Sequence, residues 1–146
     1  MCGVTQSGKS VFAKAIQDSH EDCMTIKRDN CRMYNSEEAD TVDKRFYNAV
    51  NIALKSHRYV VANDRNINRV ERDKFFNKVN YNGCEVVCVW IETPQNVAIE
   101  RNKNRDKYHR ISEKEIDEMY KYKVSPQDNE PFDKIVFISE QQNYAI

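Results

Sequence analysis

The stretch Gly3-Val4-Thr5-Gln6-Ser7-Gly8-Lys9-Ser10 constrains this chain more than any other. It is a complete G-x-x-x-x-G-K-[ST] phosphate loop, and its spacing has a chemical reason. A loop that wraps a polyphosphate brings its backbone against the anion, so Gly3 and Gly8 sit where a Cβ would obstruct the chain or forbid its dihedrals. The N–H groups of Val4, Thr5, Gln6 and Ser7 then point inward as an anion nest. Lys9 reaches the β- and γ-phosphates, the Ser10 hydroxyl is placed to ligate Mg²⁺, and the helix that follows aims its positive end at the same phosphates. The chain has only 3 glycines, and two stand at the required positions, which argues against a chance turn.

Such a loop follows a buried, continuously apolar strand, yet only Met1 and Cys2 precede Gly3. Either the central strand is unusually short or upstream residues belong to it, and the second is expected, because a missing central strand exposes ladder groups and core on both neighbours. At 146 residues the chain reads as a single domain, 1–146, large enough for a core of its own. Its 23 basic and 23 acidic residues balance, so a nucleic-acid site would be a local patch and not a whole-protein field. No apolar run reaches membrane-spanning length and no signal peptide is visible, so a cytoplasmic location is expected, with phage- or virus-infected cells as one setting for a chain rich in Asn and Lys. The 5 cysteines form no C-x-x-C pair, and reduced, partly buried thiols are expected.

Strand and helix signals alternate. Helices are expected over about 9–17, with Val11, Phe12, Ala15 and Ile16 inward, and from a Ser36 cap to about Ser56. A third starts at an Asn68/Glu71 capping pair and carries Val70, Phe75, Phe76 and Val79. A fourth begins at Thr93-Pro94, with Thr93 as cap, and a fifth at the capping box Ser112 to Glu115. Apolar runs at 23–26, 59–62, 85–91 and 134–138 read as strands, with Cys84 and Cys88 on one strand face. This order predicts a three-layer α/β/α fold with a parallel sheet, and such sheets place their site at the carboxyl ends of the strands. The phosphate loop, 27–32 and 63–66 then surround one crevice.

In that crevice an Asp opposite a bound triphosphate takes the proton of an incoming hydroxyl, and a nearby Arg clamps the acceptor's phosphate; Asp29 and Arg32 fit, although alone they also fit a solvated turn. Asp64 ends an apolar run, which suits either a group organising Mg²⁺ and its water shell or an Asx turn. Arg101 and Arg105, four apart, share a helical face and, with Arg110, suit either a transferring phosphoryl group or a basic helix end.

Together these parts resemble the polynucleotide 5′-hydroxyl kinases of phage and cellular end-healing systems, which have an adenylate-kinase-like phosphate-loop fold. Gly3 to Ser10 matches the family's phosphate loop, Lys27-Arg28-Asp29-Asn30-Cys31-Arg32 its Asp-x-x-Arg element, Asn63-Asp64-Arg65-Asn66 its Asp-x-Asn segment, and Glu100 to Arg105 with the helix through Glu118-Met119-Tyr120 its lid, about 101–122. The resemblance implies ATP and Mg²⁺ as cofactors and transfer of the γ-phosphate to the 5′-hydroxyl end of DNA or RNA. It implies Asp29 as general base, Arg32 and Asp64 at the acceptor, Lys9 and Arg105 as catalytic charges, and Arg101 beside Arg105 on the donor phosphates. No Asp-x-Asp phosphatase motif follows, so a kinase alone, or part of a larger end-healing enzyme, is expected. The competing readings are a small-molecule kinase of the same fold, a nucleotide-binding regulatory module without transfer (no Asn-Lys-x-Asp base-reading motif is present), and a nucleic-acid-binding module using 101–110.

Overall fold

The computed structural model describes residues 1–34 and 36–139; residues 140–146 of the single-domain reading lie outside the described residues. Along the described chain run α1 (Lys9–Ser19), β1 (Cys23–Lys27), a 3₁₀ turn (Arg28–Cys31), α2 (Ala39–Ser56), β2 (Tyr59–Asn63), α3 (Arg69–Lys78), β3 (Val87–Glu92), α4 (Gln95–Lys103), α5 (Glu113–Tyr122) and β4 (Lys134–Ser139). Strands alternate with helices, and both ladders are parallel, as an α/β chain with helical crossovers requires. β1 pairs with β2 from Cys23 opposite Tyr59 to Lys27 opposite Asn63, and β3 pairs with β4 from Val87 opposite Lys134 to Glu92 opposite Ser139.

Residues 1–3 run between these two pairs. Cys2 forms a parallel bridge to Trp90: its N–H donates to the Val89 carbonyl at 2.8 Å and its carbonyl accepts from Ile91 at 2.9 Å. On the other side the Met1 ammonium donates to the Ala62 carbonyl at 2.9 Å, and the Gly3 N–H to the Arg65 carbonyl at 2.8 Å. The spatial order is therefore β1, β2, residues 1–3, β3, β4. The core follows this division. Phe46, Tyr47, Val50 and Val79 cluster beside β1 and β2, while Cys2, Val4, Ile67, Cys88, Trp90 and Met119 cluster beside β3 and β4. An edge-to-face series bridges the halves, with Phe75–Phe76 centroids 5.7 Å apart and Phe76–Phe132 5.0 Å. Among the described residues no helix is long and apolar enough to cross a membrane.

The Asn68 and Ser112 caps form as expected, accepting from the N–H of Glu71 at 2.9 Å and of Glu115 at 3.1 Å. Other expectations are corrected. In α1 the inward stripe is Phe12, Ala13 and Ile16; Val11 and Ala15 lie to its side and face solvent. In α3 the inward stripe is Arg72, Phe75, Phe76 and Val79, so Val70 falls on the opposite face, 77% exposed. Ser36 does not cap α2, which starts at Ala39 after Glu38; the preceding Glu37 turns its carboxylate inward to accept from the Met33 N–H at 2.7 Å. α4 starts one residue late, after Pro94, because the Thr93 hydroxyl donates to the phosphate loop at the Ser7 carbonyl, 3.2 Å away. Cys84 is exposed and precedes β3, so it shares no strand face with Cys88.

Candidate functional site

The phosphate loop turns through left-handed backbone at Gln6 (φ 62) and Gly8 (φ 94), with Gly3 at φ 153. Gly3 is tolerated at this close approach because it lacks a Cβ, which would lie 2.8 Å from Ser7 Oγ and 2.9 Å from the Ile91 carbonyl. Gly8 caps α1 and opens the helical ladder, its carbonyl accepting from Phe12 at 3.1 Å. The Lys9 ammonium folds over the loop and donates to the carbonyls of Gly3 at 2.9 Å and Val4 at 2.8 Å. Ser10 Oγ accepts from Asn63 Nδ2 at 3.4 Å, so the end of β2 meets the start of α1.

Asp29 and Arg32 sit on the 3₁₀ turn that leaves the carboxyl end of β1, and α2 braces that turn. Arg28 Nε donates to Asp43 Oδ1 at 2.8 Å, and Lys74 holds the other Asp43 oxygen at 2.6 Å. Arg45 donates to the Cys31 carbonyl at 3.3 Å and pairs with Glu37 at 2.5 Å. Arg32 Nη1 donates to the Glu37 carbonyl at 3.0 Å, which aims its guanidinium. Asp64, one residue past β2, accepts from the Arg65 N–H at 2.7 Å, so it combines an Asx-type turn contact with a place beside Lys9.

The segment expected to form the lid lies against the loop. α4 ends at Lys103, so Arg101 and Arg105 do not share a helical face as expected; they converge because both reach Gln6. Arg101 Nη1 donates to the Gln6 carbonyl at 3.0 Å, and with the Gln6 amide turned so that its oxygen meets the donors around it, that oxygen accepts from Arg105 Nε at 2.8 Å and Nη1 at 2.7 Å. The buried Asn102 closes the lid turn, donating to the Ile111 carbonyl at 2.7 Å and accepting from its N–H at 3.1 Å. Arg110 stays outside: it is exposed and donates to the Arg105 carbonyl at 2.7 Å.

The family model described as an AAA domain matches residues 1–124, which include the loop, both strand-end segments and the lid. The chain belongs to the AAA domain family. No curated protein matches it. As a phosphate-loop nucleotide-binding domain, this AAA domain gathers Lys9, Asp29, Asp64 and Arg28 into one electrostatic field. Burial pushes the Lys9 ammonium down from its ordinary value to about 8, against the opposing pull of Asp64. Burial also raises the Asp64 carboxyl above its usual range, with the Arg65 N–H and Arg28 opposing.

The donors present fit a hard cation. A Ser10 hydroxyl beside the Asp64 segment offers oxygen ligands of the kind Mg²⁺ takes when substrate phosphates complete its shell. Among the described residues no group of three or more His, Cys, Asp or Glu could hold a metal ion.

The Lys9 value yields a pH prediction. A polyphosphate raises the ammonium's pKa, so binding near pH 8 to 9 takes up a proton, and affinity falls by up to about tenfold per pH unit above 8. In the free protein the sign is opposite. Its folded pKa lies below the unfolded value of 10.5, so this group adds stability as pH rises from 8 toward 10.5. Calorimetry of ATP binding in buffers of different ionisation enthalpy checks the proton count, and a count of zero at pH 8.5 refutes it.

The side-chain roles of Gln6, Thr93 and Arg72 escaped sequence reasoning, which placed Gln6 in the nest by its backbone and Thr93 only as a cap. Gln6 carries no motif signal, because the phosphate-loop pattern leaves its position free. Thr93 looks like a cap by local pattern alone. Arg72 had a visible signal: a charged residue at i, i+3, i+4 and i+7 spacing with Phe75, Phe76 and Val79.

Proposed function

We propose that this AAA domain is an ATP-dependent phosphotransferase that moves the γ-phosphate of ATP to the 5′-hydroxyl end of DNA or RNA. The observation that carries the reading is the braced turn at the end of β1, which sets Asp29 within the field of Lys9 and holds Arg32 by the Glu37 carbonyl. In this reading the ATP phosphates lie in the nest of 3–8 under Lys9. Arg32 grips the acceptor's phosphate by charge-assisted bonds, and Asp29 accepts the proton of the attacking hydroxyl. The hydroxyl oxygen then displaces ADP in line, and no covalent enzyme intermediate is required. Lys9 and Arg105 stabilise the charge that spreads over the transferring group, with Arg101 beside them. Bound Mg²⁺ would supply further neutralisation of the phosphate charge, held by Ser10 with Asp64 organising its surroundings.

The test is transfer of label from γ-labelled ATP to a 5′-hydroxyl oligonucleotide, DNA and RNA in parallel. Label on the oligonucleotide supports the reading. Label on nucleosides or sugars alone moves it to a small-molecule kinase, and ATP binding without transfer to any acceptor moves it to a regulatory module. Arg32→Ala is expected to raise the acceptor KM by about ten- to a hundredfold with little change in kcat, the loss of one or two charge-assisted bonds made in ground and transition state alike. An unchanged acceptor KM removes Arg32 from the acceptor site.

A further inference from the structure

The backbone on its own leaves the direction of the Ser7–Gly8 peptide open. Reversing this peptide turns ψ of Ser7 and φ of Gly8, and Gly8, at φ 94, reaches negative φ as readily because it has no Cβ. The direction matters because a trans peptide is planar and sets its N–H and its carbonyl on opposite sides. Turned one way, the unit offers the Gly8 N–H to a phosphate in the nest; turned the other, it presents the negative end of the Ser7 carbonyl. The Ser7 side chain gives no hold. The residue is 0% exposed, and its Oγ is buried without a hydrogen-bond partner among the described residues.

The hold comes from the end of β3. Thr93 is buried beneath the loop, and its hydroxyl donates to the Ser7 carbonyl at 3.2 Å. The carbonyl is drawn inward, so the Gly8 N–H points away from Thr93, toward the open side of the loop. Thr93 is itself set from α5, where the Tyr120 hydroxyl donates to the Thr93 carbonyl at 2.5 Å. The Tyr120 ring packs against the core cluster that contains Val4, Trp90 and Met119, which fixes where that hydroxyl stands.

We propose that Thr93 is a positioning residue for phosphate binding. Its hydroxyl locks the Ser7–Gly8 peptide with the N–H outward, and Tyr120 holds the Thr93 backbone so that the hydroxyl reaches the loop. The docking of α5 and the affinity of the nest are then linked, each strengthening the other by the same factor. The inference rests on the loop taking nucleotide phosphates and is independent of the acceptor.

The test is calorimetric binding of ATP and of inorganic triphosphate to the full chain and its variants. Thr93→Val keeps the shape and loses the hydroxyl, and it is expected to weaken both ligands by about five- to tenfold, the loss of one hydrogen bond. Thr93→Ser keeps the hydroxyl and is expected to bind within about twofold of the parent. Tyr120→Phe is expected to weaken both ligands by about threefold. Added to Thr93→Val it is expected to cost nothing further, because no hydroxyl remains for it to aim. Parent-like affinity in Thr93→Val overturns the proposal. So does a Thr93→Ser as weak as Thr93→Val, which assigns the effect to packing of the methyl group. Weakened ATP with unchanged triphosphate also overturns it, by placing the effect away from the nest, and additive losses in the double variant remove Tyr120 from it. If Thr93→Val does not fold, Tyr120→Phe decides, and parent-like affinity there overturns the proposal. A parent chain that binds neither ligand overturns the nucleotide reading and this inference together, whereas a parent that binds both beside variants that match it overturns this inference alone.

Discussion

Changing Asp29 to alanine is expected to lower phosphoryl-transfer turnover by about two to four orders of magnitude while leaving ATP binding within about twofold. The split follows from where the residue stands. Asp29 is exposed on the 3₁₀ turn, among the described residues its carboxylate accepts no hydrogen bond from the phosphate loop, and the turn is held by Arg28, Arg45 and Glu37, so its removal leaves the nest and the fold in place. On the proposed mechanism, what is lost is the acceptor for the attacking hydroxyl's proton, a contribution made only as the reaction proceeds. Asp29→Asn, which keeps the shape and removes the basicity, is expected to behave like alanine. Turnover within about threefold of the parent in both variants would remove Asp29 as the base. Single-turnover transfer to a 5′-hydroxyl oligonucleotide, with nucleotide binding measured separately, checks both halves.

The second large effect is on stability. Arg72 is 1% exposed, and it donates to Glu130 at 2.7 and 3.2 Å and to the carbonyls of Asn66 at 3.0 Å, Val124 at 2.8 Å and Ser125 at 3.3 Å. One guanidinium thus joins α3, the segment after β2 and the loop before β4. Arg72→Met is expected to cost about 3–5 kcal/mol, because it strands the equally buried Glu130 carboxylate and leaves three carbonyls unserved. That is a large share of the roughly 5–15 kcal/mol typical of a domain. The double variant Arg72→Met with Glu130→Gln is expected to recover about 1–2 kcal/mol by removing the stranded charge. Denaturant titration of the two variants decides it; a single-variant loss below about 1 kcal/mol would mean the cluster relaxes without it.

What could be read in advance was what lies close along the chain. The phosphate loop, the Asp29/Arg32 turn and the Asn68 and Ser112 caps each depend on residues within eight positions of one another, so a one-dimensional pattern carries them. The alternation of strands and helices carried the parallel sheet in the same way. The parts that stayed hidden are long-range. Arg72 and Glu130 are 58 residues apart, Arg101 and Gln6 95 apart, and Thr93 and Ser7 86 apart. Thr93 and Arg105 also show how a local rule is overridden: one fits a helix cap and the other a helical face, but tertiary partners in the phosphate loop claim both side chains.

The resting arrangement of Arg105 has its own consequence. The guanidinium is held by neutral dipoles, the Gln6 amide oxygen and the His109 carbonyl at 2.9 Å, and among the described residues it makes no ion pair with a carboxylate. Its unit charge is therefore positioned but not cancelled. In the proposed reading an arriving phosphate would exchange an amide for an anion at this donor, gaining a charge-assisted bond without first breaking a salt bridge. In the proposed phosphotransfer the lid would thus act as a sensor of ligand charge, separating triphosphate from uncharged nucleoside by electrostatics, and that discrimination is expected to fade as added salt screens the approach.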